Sequence, residues 1–194
     1  MDEIASGIWH WTAFHDGIQF DVSSYYVEPL ATVIDPQSPD LDWFSGRNVD
    51  RVCLTNRHHY RHADRFGVPV LVDEPGLEDV KDRPGIESFE FGTEIAPDIT
   101  AYGPIDPSWP DEGALHMAIG NGVLAIADGA VRYGEDIHFV PDEHLGADPE
   151  RTKELLRAGY GRLLDLDFDV LLFGHGTPIA SGAKDRLRAF VEGA

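Results

Sequence analysis

Apolar and polar residues alternate through much of the first half of the chain, a pattern typical of strands that bury one face. The dipeptide Asp16-Gly17 is typical of a tight turn and predicts a hairpin between the first two apolar runs. Strands are predicted over residues 7–14, 18–27, 30–34, 49–55 and 68–72. A helical turn over 63–66 and a short helix over 75–80 give the later part of this half a βα character.

The second half also contains short apolar runs, and it ends in helices. Its predicted strands cover residues 86–91, 99–102, 114–119, 123–127 and 169–173, with a hairpin signal at Asn121-Gly122. Asp148-Pro149 combines an N-cap with a proline at the first helical position, which predicts a helix from Pro149 to about Leu164. A closing helix is expected over 183–191. Two β-rich halves that each close with helices predict one domain over residues 1–194, with helices outside a two-sheet core.

The chain is strongly acidic, because 35 Asp and Glu residues face 15 Lys and Arg residues and give a formal net charge of −20. That charge repels nucleic acids and anionic membrane surfaces, so neither is an expected partner. Lysine is scarce and occurs at Lys81, Lys153 and Lys184. Many acids with few lysines suggest a halophile-like protein that stays soluble in a salt-rich cytoplasm, whereas a GC-rich genome would give the same bias through arginine codons. Both interpretations stay open.

Other features of the sequence concern the compartment. The single cysteine, Cys53, lies in an apolar run and is expected to be a buried structural thiol, with no intrachain disulfide possible. The N-terminus lacks the basic and then apolar pattern of a signal peptide, and no apolar run is long enough to span a membrane. A cytoplasmic location is therefore expected.

Histidines and acids at strand ends are the candidate site residues. His58, His59 and His62 crowd one loop after a predicted strand, and clustered histidines indicate a metal site, although a polar loop that caps a helix would look the same. His175 lies between two glycines after the last predicted strand, as a ligand or as part of an ordinary turn. Asp128 ends another buried strand, where a carboxylate needs a cation unless it is simply a turn residue.

Together these segments resemble the metallo-β-lactamase superfamily along nearly the whole chain. Val33-Ile34-Asp35-Pro36 is similar to the family's v-I-D-P element, and the loop from Thr55 to Arg61 is similar to its T-H-x-H-x-D-H loop. Ala127-Asp128-Gly129 matches the later G-D turn, and Gly174-His175-Gly176-Thr177-Pro178 matches G-H-G-x-P. The resemblance implies an α/β fold, a four-layer αββα sandwich of two mixed β-sheets, with its site at one edge between the sheets.

The site residues depart from the family pattern. With Thr55 set on the family threonine, three ligand positions of the loop are altered: Asn56 stands at the first His, Tyr60 at the Asp and Arg61 at the third His, while His58 keeps the second. In the later elements, Glu112 falls where a ligand His is expected, and His116 matches the Ser or His position at the end of the same family element. Asp128 and His175 match family ligands. A two-metal site therefore cannot be intact.

The resemblance with these changes implies at most one divalent metal, Zn²⁺ first and Fe²⁺ or Mn²⁺ as alternatives. Four residues would hold it: His58, Glu112, Asp128 and His175. Asp128, Arg61 and Tyr60 are the expected catalytic residues, with the Arg61 guanidinium replacing a lost cation against Asp128. A shifted loop register would bring in His59 or His62, and the roles of these two and of His116 stay open.

Two functions follow as alternatives. One is a metal-dependent hydrolase of a small ester, thioester, lactone or lactam, in which a single metal activates water. The other is a non-enzymatic protein of this fold that has lost its metals and binds a small anion through Arg57 and Arg61, or a protein partner. A redox role with iron, known in this fold, is less favoured because no flavodoxin-like segment follows. The substrate and the oligomeric state are not encoded in any motif.

Overall fold

The first sheet contains seven strands that lie side by side in chain order. The first four pair antiparallel and the last four pair in parallel, so the fourth strand belongs to both halves of the sheet. The computed structural model describes residues 1–193 and gives these strands the following bounds: β1 Asp2–Ala5, β2 Ile8–His15, β3 Phe20–Val27, β4 Thr32–Ile34, β5 Arg51–Cys53, β6 Val70–Asp73 and β7 Ile86–Phe89.

The second sheet contains five strands in the order β14-β11-β10-β9-β8. Its strands are antiparallel except for β11 and β14, which pair in parallel. Their bounds are β8 Glu94–Ala96, β9 Ile99–Tyr102, β10 Ala114–Met117, β11 Val123–Ile126 and β14 Val170–Phe173. A separate hairpin joins β12 Ala130–Tyr133 to β13 Asp136–Phe139.

Alternation along the strands creates three apolar layers. In β3, Tyr25 packs between the two sheets while Tyr26 packs on the outer side of the first sheet. In β14, Leu172 packs between the sheets while Phe173 faces the outer side of the second. Because successive side chains of a strand point to opposite faces, each sheet carries one inner and one outer core. The fold is therefore the predicted αββα sandwich.

Helices cover the two outer cores, and their ends follow the capping signals in the sequence. Their bounds are α1 Glu74–Val80, α2 Pro149–Leu163 and α3 Ala183–Glu192. The side chain of Asp148 accepts a hydrogen bond from the Arg151 backbone N–H, which confirms the predicted start of α2. Leu156 of α2 and Leu187 of α3 pack on the second sheet, and Val80 of α1 packs on the first. Among the helices of residues 1–193, none has the length and apolar character needed to cross a bilayer.

Several short elements do not follow from the sequence pattern. Strands β1, β8 and the β12–β13 hairpin were not predicted, because they are only three or four residues long and largely lack a continuous apolar face. Ile18 lies in the turn before β3 and not in the strand, and it is exposed. Cys53 is fully buried between the sheets, as expected, and burial raises the pKa of its thiol to about 12.

Candidate metal centre

Loops that follow four strands meet at one edge of the two-sheet core. Strands β4 and β5 run parallel, so Asp35 and Asn56 leave the first sheet at the same edge. Strands β11 and β14 also run parallel, so Asp128 and His175 leave the second sheet together. Asn56 and Asp128 are in direct contact, which shows that the two edges coincide. The site is therefore built from both sheets.

Asp128 is the centre of this group. Its Oδ1 lies 3.0 Å from His59 Nε2 and 3.3 Å from His175 Nε2, and its Oδ2 accepts a hydrogen bond of 2.9 Å from Asn56 Nδ2. Neither imidazole contact has hydrogen-bond geometry, so the buried Oδ1 has no hydrogen-bond partner among residues 1–193. The ligand atoms of His59, Asp128 and His175 all lie within 4.8 Å of one another. Two imidazoles and one carboxylate that converge in this way are a ligand set for a divalent metal.

The orientation of the His59 ring is fixed by a second carboxylate. His59 Nδ1 lies 3.0 Å from Asp35 Oδ2 and 2.9 Å from Thr55 Oγ1. Thr55 donates its hydroxyl proton to Asp35 at 2.7 Å and its backbone N–H at 2.9 Å, so the proton between the ring and this pair resides on Nδ1. Nε2 then faces Asp128 Oδ1 with its lone pair unless a proton or a metal lies between them. This is the arrangement that orients metal-binding histidines in proteins.

The electrostatics of this group favour the charged forms of both His59 and Asp128. Burial and the nearby Arg61 each lower the pKa of His59, but the carboxylates of Asp128 and Asp35 outweigh both and raise it to about 9. Burial alone would raise the pKa of Asp128, yet the two histidines hold it well below its usual range. A carboxylate that stays ionised in a buried site requires a cation beside it.

The predicted ligand His58 does not belong to the converging group, whereas its neighbour His59 does. Residues Arg57–Tyr60 form a 3₁₀ helix, in which residues three apart lie on the same side. Asn56 and His59 therefore face Asp128 together, whereas His58 is exposed and lies on the wall of a cleft in front of the site. The expected register assumed ligands two residues apart, as in the family loop. The structure favours the alternative in which a shifted loop register brings His59 into the group.

Glu112 lies behind Asp128 and not among the converging ligand atoms. Its Oε1 accepts the Gly129 backbone N–H at 2.7 Å and the Tyr160 hydroxyl at 3.3 Å, and its Oε2 accepts the Asp128 backbone N–H at 3.3 Å. Burial, with the negative charge of Asp128 adding to it, raises the pKa of Glu112 to about 8. The side chain thus holds the loop that presents Asp128, because both carboxylate oxygens are occupied by this loop.

Arg61 and Tyr60 do not occupy the catalytic positions expected of them. Arg61 Nη1 donates to the carbonyl oxygens of Ser23 at 3.2 Å and Asp35 at 3.0 Å, and within residues 1–193 no carboxylate oxygen lies within 4 Å of its guanidinium. The expected ion pair with Asp128 is therefore absent there. Tyr60 is buried on the outer side of the first sheet, where its hydroxyl donates to Pro84 O at 3.0 Å.

The remaining histidines of interest have structural contacts. His62 Nδ1 accepts the Ser38 backbone N–H at 3.0 Å, and His116 Nε2 donates to the Asp167 carbonyl oxygen at 2.8 Å. Neither belongs to the group around Asp128. Both histidines therefore stabilise loops.

A cleft of about 750 Å³ opens in front of the site. Five residues at the family's site positions all line it: Asn56, His58, Glu112, Asp128 and His175. Another part of its wall is apolar and comes from the β2–β3 turn and from β12. The volume is that of a site for a small molecule.

Comparison with known proteins supports the fold. No family model and no curated protein matches the chain. Among solved structures, a metallo-β-lactamase from Erythrobacter litoralis matches with a TM-score of 0.69 and 13% identity over 100% of this chain and 96% of that one. A β-lactamase domain protein from Burkholderia ambifaria matches with a TM-score of 0.65 and 18% identity over 97% of this chain and 71% of that one.

A third match is a metal-soaked flavodiiron core from a Synechocystis species, with a TM-score of 0.62 and 12% identity. The match covers 97% of this chain but only 59% of the flavodiiron core, so the chain spans less than two thirds of that protein. At such low identities these likenesses show the fold alone.

Proposed function

The chain has the metallo-β-lactamase fold, and on that premise we propose that it is a hydrolase of a small ester, thioester, lactone or lactam that uses one divalent metal. His59, Asp128 and His175 would hold the metal, with Zn²⁺ the first expectation and Fe²⁺ or Mn²⁺ the alternatives. When bound, the metal supplies a water of lowered pKa and polarises the substrate carbonyl.

One observation carries this proposal. Within the part of the chain that the structure describes, the Oδ1 atom of Asp128 is buried without a hydrogen bond, and two imidazole nitrogens lie 3.0 and 3.3 Å from it. An unpartnered buried carboxylate oxygen is costly, and its cost disappears when a cation binds there. A stoichiometry of one follows from the ligands, because three ligand atoms divided between two ions would leave each with too few, and Arg61, which has only donor nitrogens, stands at another family position.

The residues around the centre have separate tasks. Asn56 holds Oδ2 of Asp128 and thereby turns Oδ1 toward the histidines. Asp35 and Thr55 keep the proton of His59 on Nδ1, so that Nε2 is available as a ligand. The cleft positions a small substrate in front of these atoms. Each task can be tested by a substitution that leaves the ligands in place.

The test compares two neighbouring histidines. Elemental analysis of protein purified without chelator, after incubation with Zn²⁺, Mn²⁺ or Fe²⁺, should give up to one equivalent of metal. His59→Ala should lose it, whereas the matched control His58→Ala, an exposed neighbour, should retain it. Hydrolysis of a panel of small esters, thioesters, lactones and lactams should follow metal content. Two equivalents, or loss in His58→Ala but not in His59→Ala, would contradict the assignment.

A second candidate is a non-enzymatic anion-binding protein, and one observation favours it. A smaller pocket of about 510 Å³ is lined by Arg57, Arg61 and Arg83, together with the acidic Asp79. Arg57 is already paired with Asp79 at 2.6 Å and with Asp111, so Arg61 and Arg83 would provide the free charge. No metal uptake, together with calorimetric binding of phosphate that is lost in Arg61→Ala, would favour this function over the hydrolase.

A further inference from the structure

Exposed apolar side chains are concentrated at the mouth of the cleft. Among the residues that the structure describes, five large apolar side chains are exposed: Phe14, Ile18, Phe20, Leu41 and Tyr133. Three of them line the cleft, namely Ile18, Phe20 and Tyr133, with exposed fractions of 54%, 47% and 43%. On an acidic surface this clustering beside the metal centre indicates a surface that a ligand covers.

These side chains form one wall of the cleft from two different elements. Phe20 begins β3 and Tyr133 ends β12, and their rings pack edge to face with centroids 5.4 Å apart. Val131, from the same strand as Tyr133, is buried deeper along this wall. The wall is therefore a continuous apolar strip that leads from solvent toward Asp128.

The rest of the cleft lining includes the polar residues Asn56, His58 and Asp111. A substrate that matches both kinds of lining has an apolar part and a polar end. The polar end belongs at the metal centre, since the group that reacts there is a carbonyl. The apolar part then extends outward along Val131 toward Phe20 and Tyr133.

We propose that the cleft binds the straight apolar chain of an acyl group, so that the substrates are acyl compounds of medium chain length. This inference rests on the proposed function for the position of the carbonyl end. The occupant is a chain and not a protein, because the strip is the wall of a concave cleft continuous with the metal centre and small in volume. Each methylene buried on the strip is expected to strengthen binding by about fourfold.

The test measures binding without catalysis. Metal-free protein is titrated with the neutral ligands butanamide, hexanamide and octanamide, by calorimetry and by intrinsic tryptophan fluorescence, to which Trp109 in the cleft wall contributes. Each added pair of methylenes should lower the dissociation constant by up to about fifteenfold. An affinity that does not depend on chain length would overturn the proposal. Benzamide that binds more tightly than hexanamide would overturn it as well, in favour of a flat aromatic group.

Matched substitutions locate the effect. Phe20→Ala and Tyr133→Ala should reduce the gain per methylene, and Tyr133→Phe should preserve it. Phe14→Ala is the control, because Phe14 is 50% exposed on the neighbouring strand β2 and does not line the cleft. An equal loss in Phe14→Ala would overturn the assignment of the strip. If the affinity depends on chain length but the protein takes up no metal, this inference is supported and the proposed hydrolase is contradicted. If the protein takes up metal but the affinity does not depend on chain length, the proposed hydrolase stands and this inference is contradicted.

Discussion

At the scale of single residues, the edge of the core holds two neighbouring acids whose surroundings act in opposite directions. Asp128 faces two histidines, which lower its pKa, whereas Glu112 faces a carboxylate and a buried hydroxyl, and burial raises its pKa. The acids therefore have different roles although both lie within the same cluster. Asp128 presents an oxygen to a cation, and Glu112 supports the loop.

The supporting role of Glu112 predicts a loss of stability without a loss of metal. Glu112→Ala leaves the backbone N–H groups of Asp128 and Gly129 without an acceptor, at about 1–3 kcal/mol each. Urea unfolding should show a free energy of unfolding lower by about 3 kcal/mol, while elemental analysis shows unchanged metal uptake. Glu87→Ala, at an exposed position of β7, is the control. Lost metal with unchanged stability would return Glu112 to the ligand set.

His10 predicts a pH dependence of stability. Its ring stacks on Tyr25 with centroids 5.0 Å apart, and Nε2 lies 3.1 Å from Ser23 Oγ. Burial lowers the pKa of His10 to about 4, although Asp2 opposes the shift. Between pH 6.5 and about 4, the unfolded chain therefore binds a proton that the folded chain does not, so stability falls as the pH falls through this window.

His10→Gln should reduce this slope, because glutamine does not titrate. Denaturant unfolding at both ends of the window should show a contribution on the order of 1 kcal/mol from His10, since the ring is partly exposed and screening reduces the full shift. The control is His138→Gln, at an exposed position of β13. Identical pH slopes in wild type and His10→Gln would contradict the prediction.

At the scale of elements, helix α2 depends on a glycine for its position. A Cβ atom on Gly159 would lie 2.1 Å from the Ile105 carbonyl oxygen, so this glycine lets the helix approach the chain beside it. Gly161, two positions later on the same helix, has room, because the nearest neighbour of an added Cβ atom would be Val191 Cγ1 at 3.6 Å. The two glycines form a matched pair that differs only in packing.

Gly159→Ala should destabilise the protein by about 2–3 kcal/mol through overpacking against backbone. Gly161→Ala should stabilise it by up to about 1 kcal/mol, because alanine has the higher helix propensity and meets no close atom. Thermal and urea unfolding of the two variants would measure the difference. Equal effects would show that α2 does not pack tightly on Ile105.

Elements also show what could be predicted from the sequence. Strands β3 and β14 have alternating or continuous apolar runs, and α2 has an N-cap residue and an apolar face. Their prediction therefore depends on local pattern alone. The loop from Asn56 to Arg61 was harder, because its 3₁₀ geometry determines which side chain faces Asp128. The structure brings Asp128 and His175 together at the ends of their strands. The position of His59 depends on the geometry of the turn, and that of Arg61 depends on long-range contacts with backbone carbonyls, and neither is encoded in a local pattern.

At the scale of the whole molecule, the net charge of −20 predicts a stability that depends on salt. Repulsion between surface acids acts over about 10 Å at 0.1 M salt and over about 3 Å at 1 M. The melting temperature should therefore rise by several degrees as KCl increases across this range. Sorbitol at matched osmolality is the control for effects other than screening. A melting temperature that KCl leaves unchanged would contradict a halophile-like surface.

The origin of the candidate metal centre in both halves of the chain has a consequence for folding. His59 follows a strand of the first sheet, and Asp128 and His175 follow strands of the second, so the three side chains converge only after the two halves of the chain have docked. Metal binding is then linked to docking, and an ion present at a hundred times its Kd adds about 2.7 kcal/mol to the stability of the docked state. A bound ion would therefore hold one half of the chain to the other, and separation of the two halves would release it.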